Sequence, residues 1–147
     1  MKRMLMVSSV LCFGAGAALA STDACPGPVT AAINKAYPAS TVESCKKEVE
    51  KGTTQYEVKV TTKQASKIEV DVAPDGKILQ TEEKVDLKTV PKAVTDGFTA
   101  KYKDVKATGA EKQIKADGSI QYELKFGAGK KKKEVTFSES GKFLEEE

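Results

Sequence analysis

The residues of this chain able to do chemistry are its carboxylates, its lysines and two cysteines beyond the first twenty positions; histidine and tryptophan are absent throughout. Without imidazole there is no Ser-His-Asp or Cys-His nucleophile and no histidine-based zinc site. A two-carboxylate hydrolase remains formally open. In QYEVKV (55–60), KIEVDV (67–72) and QYELKF (121–126), however, the acids alternate with lysines, the pattern of solvated, weakly paired surface charge. Asp75-Gly76 and Asp117-Gly118 lack the spaced oxygen ligands of a calcium loop and read as turns. No catalytic, cofactor-binding or metal-binding residue is therefore expected, and no enzyme.

Cys25 and Cys45 form an even pair whose twenty-residue spacing is unlike C-x-x-C. In an exported chain such a pair reads as a structural disulfide. Lys130, Lys131, Lys132 and Lys133 follow Gly127-Ala128-Gly129. They read either as a grip on an anionic ligand or polymer, or as a solvated hairpin tip that discourages edge association.

Export itself is legible at the start of the chain. Lys2 and Arg3 precede an apolar stretch over 5–18, and Ala18-Leu19-Ala20 places small residues before a cut at Ser21. That is a secretory leader over 1–20, too short to span a bilayer as a retained anchor. Of the chain's 24 basic residues, Lys2 and Arg3 leave with it, so 22 face 21 acidic ones. So balanced a product gives no general electrostatic attraction to nucleic acid or membrane. A monomer in the periplasm or the medium, without stable membrane insertion, is expected.

Two halves of the chain match at an offset of 65 residues. Pro26, Val29, Thr30 and Tyr37 fall on Pro91, Val94, Thr95 and Tyr102; Glu69-Val70 on Glu134-Val135; Gly76-Lys77 on Gly141-Lys142. One extra residue places Tyr56 on Tyr122. This marks a duplicated unit, with boundaries at 21–86 and 87–147. In each unit an i, i+3, i+4, i+7 apolar stripe (Val29, Ala32, Ile33, Ala36; then Val94, Phe98) predicts a short helix. A period of two after it predicts strands buried on one face. The expectation is an α+β fold: two tandem repeats of one helix followed by a four-stranded antiparallel sheet, the sheets side by side or joined edge to edge. Tyr56 and Tyr122 are expected in the cores. A helix over 26–37 rises roughly 16 Å and the following strand returns about 20 Å, which brings Cys45 back beside Cys25. Closing that loop contributes on the order of 3 kcal/mol. The matching positions in the second half are Val90 and Ala110, an apolar pair.

Tyr37-Pro38, the Tyr56-Glu57-Val58 strand, Glu69-Val70 and Asp75-Gly76-Lys77 with Leu79, echoed at Tyr102, Tyr122-Glu123, Glu134-Val135 and Gly141-Lys142 with Leu144, resemble the PepSY-like family. That family is also described as β-lactamase-inhibitor-like. The resemblance implies a non-enzymatic exported protein that binds another protein or peptide across its exposed sheet face and hairpin tips. The residues placed there are Glu57, Lys59, Glu69, Asp71, Glu123, Lys125 and the four lysines 130–133. Such inhibitors grip a β-lactamase with an aromatic-rich sheet surface and an acidic residue on a hairpin loop; the corresponding hairpin here, residues 61–67, contains no acid and no aromatic.

Overall fold

The computed structural model describes residues 25–50 and 52–146, without the side chains of Glu50 and Lys130. The expected leader lies outside these residues. Helix α1 (Gly27–Ala36) leads into β1 (Thr41–Glu50), β2 (Thr53–Thr61), β3 (Lys67–Val72) and β4 (Ile78–Val85). A 3₁₀ turn at Leu87–Thr89 and helix α2 (Lys92–Lys101) then precede β5 (Ala107–Lys115), β6 (Ile120–Phe126), β7 (Lys133–Ser138) and β8 (Phe143–Glu146). Each helix starts behind a proline, Pro26 or Pro91, whose fixed φ suits that position. Each stops at a tyrosine, Tyr37 or Tyr102, whose N–H donates to the carbonyl of Ile33 or Phe98 at 2.8 Å. No helix among the described residues is long and apolar enough to cross a membrane.

The eight strands form one antiparallel sheet in chain order, β1 to β8. This corrects the expectation of two repeats that each carry their own four-stranded sheet; the α+β class stands. The seam is β4 against β5, paired from Gln80 opposite Lys115 to Val85 opposite Ala110. Its physical reason is plain: two four-stranded sheets would leave the N–H and C=O groups of β4 and β5 as extra open edges, and the pairing satisfies them.

Along β4 the inward residues Thr81 and Val85 fall on one face. Thr81 is opposite Val70 of the first core, and Val85 packs on the second. Both helices therefore cover the same face of the sheet. Under α1 the core is aliphatic: Val29 and Ile33 meet Val58, Val60, Val70 and Val72. Cys25 and Cys45 are bonded there, with Cα atoms 5.6 Å apart. Under α2 the core is aromatic. Phe98 packs against Phe126 and Phe137 with ring centroids 5.4 Å and 6.4 Å away, and Tyr102 lies 4.7 Å from Phe126. Val90 and Ala110 are both buried in this second core. Tyr122 is buried there too, whereas Tyr56 is only half-buried at the margin of the first.

The β3–β4 and β7–β8 turns reach up to the helix starts. Gly76 and Gly141 both sit at positive φ, +90° and +83°. A Cβ on Gly76 would approach the Pro28 carbonyl oxygen at 2.7 Å, and one on Gly141 would fall onto the Ala93 carbonyl. Bulges in β1, β4, β5 and β8, where Glu43, Leu79, Thr108 and Leu144 are the extra residues, interrupt the ladder. Such bulges bend strands and increase twist, and they shape the face that the helices leave open.

Candidate functional site

On that open face the side chains stand in cross-strand rows. One row runs Lys46, Glu57, Asp71, Gln80, Lys115. The next runs Lys59, Glu69, Glu82, Gln113, Gln121. A third runs Lys84, Glu111, Glu123, Thr136, Glu145. Most of these residues, though not Lys59, Lys84, Glu111 or Gln121, line a groove of about 630 Å³ to which all eight strands contribute; its lining has seven carboxylates against three lysines and no aromatic side chain.

Burial and crowding govern the charges. Lys59 reaches Glu69 at 3.1 Å and Glu57 at 3.6 Å. Lys125 is held by Glu111 at 3.0 Å, Glu134 at 3.2 Å and Glu123 at 3.3 Å. Burial works to lower the pKa of Lys125, but these carboxylates outweigh it and raise it. Glu123 Oε1 is buried without a hydrogen bond, its counter-charge being Lys125. Between Glu82 and Glu123 lies Gln113, buried, whose Nε2 donates to Glu82 Oε1 at 3.2 Å and to Glu123 Oε2 at 3.4 Å. Gln80 Nε2 donates to Glu82 Oε1 and, at 3.5 Å, to Asp71. Burial first, then the carboxylates of Glu123, Asp71, Glu111 and Glu69, push the pKa of Glu82 up to about 7. Burial and Glu134 push that of Glu123 to about 7 as well, against the pull of Lys125.

These shifts carry a sign for stability. Folded Glu82 keeps its proton to about 7, while the unfolded chain releases it near the ordinary 4.5. The folded state thus binds more protons in that window, and stability falls as pH rises through it. Glu82→Gln is expected to raise the unfolding free energy near pH 8 by about 1 kcal/mol, allowing for solvent screening on this partly open face. It should also flatten the decline. Urea unfolding on either side of the window measures both, and a variant no more stable than its parent near pH 8 refutes the assignment.

Of the residues anticipated at the site, Glu57, Lys59, Glu69, Asp71, Glu123 and Lys125 all lie on the open face. The lysine run does not join them as a unit. Lys131 falls in a 3₁₀ turn at Gly129–Lys131, Lys132 is exposed beyond it, and Lys133 opens β7. There Lys133 pairs with Glu146, which also accepts from the Tyr102 hydroxyl. Gln80, Glu82 and Gln113 in the groove, and Glu111 in the cleft beside it, were missed. Their alternation is present in QTEEKV (80–85) and EKQIK (111–115), but only the seam turns these strands from edges into the middle of a sheet. Among the described residues no three acidic or sulfur groups are arranged to hold a metal ion.

A family model described as "Putative beta-lactamase-inhibitor-like, PepSY-like" matches twice, over residues 16–80 and 64–145. The chain belongs to the PepSY-like family. A BLIP-like protein from Bacteroides fragilis, solved by crystallography, is 25% identical with a TM-score of 0.61, over 83% of this chain and 85% of its own. A DUF2874 family protein from Bacteroides ovatus is 17% identical with a TM-score of 0.64, over 85% and 88%. A Bacteroides eggerthii structure described among "putative periplasmic proteins" is 20% identical with a TM-score of 0.64, over 84% and 88%. The last two establish likeness of fold. No curated protein sequence matches the chain. The PepSY-like residues quoted from the sequence divide by role in the structure: Val58, Val70, Tyr122 and Val135 are buried, while Glu57, Glu69, Glu123 and Glu134 stand on the open face.

Proposed function

We propose that this PepSY-like protein is an exported, non-catalytic module that binds a protein or peptide on the open face of its sheet. The groove carries the reading: all eight strands line it, on the side the helices do not cover. Export is supported by the leader pattern at the start of the chain and by the Cys25–Cys45 bond, of a kind that persists in oxidising compartments. The likeness to a BLIP-like protein agrees with a binding role. Interfaces concentrate their energy in aromatic and arginine anchors. The groove has neither, so the anchoring side chains come from the partner. Against catalysis stand the missing imidazoles and carboxylates committed to lysines and amides across the strands.

Glu57→Trp, which fills the groove, is expected to lower capture of envelope proteins by about tenfold or more, whereas Lys35→Trp on exposed α1 leaves it unchanged. Affinity capture from an envelope extract, with melting curves to confirm folding, reads the difference. Equal capture by the two variants sinks the proposal.

A further inference from the structure

Glu82 differs from the carboxylates around it in having no counter-charge. Lys59 is taken up by Glu57 and Glu69, and Lys125 by Glu111, Glu123 and Glu134. Lys115 turns its ammonium group to Gln80 Oε1. Among the described residues no ammonium group pairs with Glu82, whose Oε1 meets the side-chain amides of Gln80 and Gln113. Glu82 also lines both the large groove and an adjoining cleft of about 240 Å³, so it can be approached from the open face.

The rows around it are arranged against the interest of the sheet. Glu57 stands directly opposite Asp71, Glu69 opposite Glu82, and Glu111 opposite Glu123. Like charges so placed destabilise a ladder, and a solvent-facing strand position requires only a polar residue. With seven carboxylates against three lysines the groove carries an excess of acids, which favours an incoming cation. The carboxylates are spread along several strands and no three converge as metal ligands. The complementary cation is therefore one carried on a long side chain.

We propose that the groove docks a basic segment of its protein partner, with one lysine or arginine side chain seated on Glu82 between Gln80 and Gln113. This rests on the partner-binding reading above. Neighbouring basic residues of the segment face the opposed carboxylates of Glu57 and Asp71, and the amides of Gln80 and Gln113 hold the Glu82 carboxylate in place for the contact.

Fluorescence anisotropy of a labelled alternating Lys-Ser peptide, its Glu-Ser counterpart and a neutral Gln-Ser peptide tests this on the whole mature protein. The Lys-Ser peptide is expected to bind more tightly than the other two. Glu82→Gln, which is expected to fold at least as well as the parent, should weaken it about tenfold. Glu139→Gln, which removes the same charge from the β7–β8 turn, should leave it unchanged. Equal affinity for the three peptides, or equal weakening by the two variants, overturns the inference. So does displacement of the peptide by calcium at concentrations too low to screen charge, which would make the occupant a bare cation. An envelope partner that is lost with Glu57→Trp but kept with Glu82→Gln leaves the binding reading standing and removes this one alone.

Discussion

Gly141→Ala is expected to lower the unfolding free energy by about 3 kcal/mol or more, combining left-handed strain with overlap in a packed core. Gly141 holds φ +83°, and an added Cβ would fall onto the carbonyl of Ala93 in the first turn of α2. Neither side can yield cheaply. The turn is fixed by Gly141 N–H donating to Ser138 O at 2.8 Å and Ser138 N–H to Lys142 O at 2.9 Å. The helix is pressed back by Gly97, whose own missing Cβ would meet the Gly141 carbonyl. Gly118 provides the control: it has the same φ, +83°, but nothing lies within 4 Å of its Cβ position. Gly118→Ala should cost only about 1 kcal/mol, the conformational part alone. Denaturant midpoints for both variants separate strain from contact, and equal losses would show that the close approach to α2 has no energetic weight.

Phe98→Ala should cost about 3–5 kcal/mol, the largest loss from any single truncation in α2. Phe98 is 4% exposed and is the residue through which α2 meets the rings of Tyr102, Phe126 and Phe137. No covalent link supports this helix, whereas α1 is tied near its start through Cys25 to β1. Truncation should therefore release α2 as well as leave a cavity. Calorimetry and near-ultraviolet circular dichroism report both effects, and a loss below about 1 kcal/mol would mean that the aromatic cluster closes over the gap.

Much of this architecture is written in local pattern. The stripes of Val29 and Ile33 and of Val94 and Phe98 set the buried helix faces, and the alternation through Val58, Val60, Val70 and Val72 sets the inward faces of β2 and β3. The cysteine pair is legible because helix rise and strand return are fixed lengths. What stayed open is the seam, because sheets side by side and sheets joined edge to edge fit the same local pattern. Backbone pairing between β4 and β5 leaves no side-chain signature, so QTEEKV and EKQIK look like any wet strand. The acid environment of Glu82 follows from that pairing: its neighbours Glu69, Glu111 and Glu123 come from three other strands. A carboxylate's proton affinity depends on who stands beside it in space, which a spacing along the chain does not reveal. The half-burial of Tyr56 against the full burial of Tyr122 is likewise a matter of place, since Tyr56 lies at the rim of its core.

Strand order equal to chain order has a kinetic consequence. Among the described strands every hydrogen-bonded neighbour is the next one along, so each pairing closes a short loop except β4 to β5, which waits while residues 86–106 form their turn and helix. Short closures have little entropy to overcome and favour rapid assembly. The chain can thus zip from either end without a long search. Its one vulnerable interval comes when β4 is complete and β5 has not arrived, for then a full edge of unpaired backbone is open to another molecule.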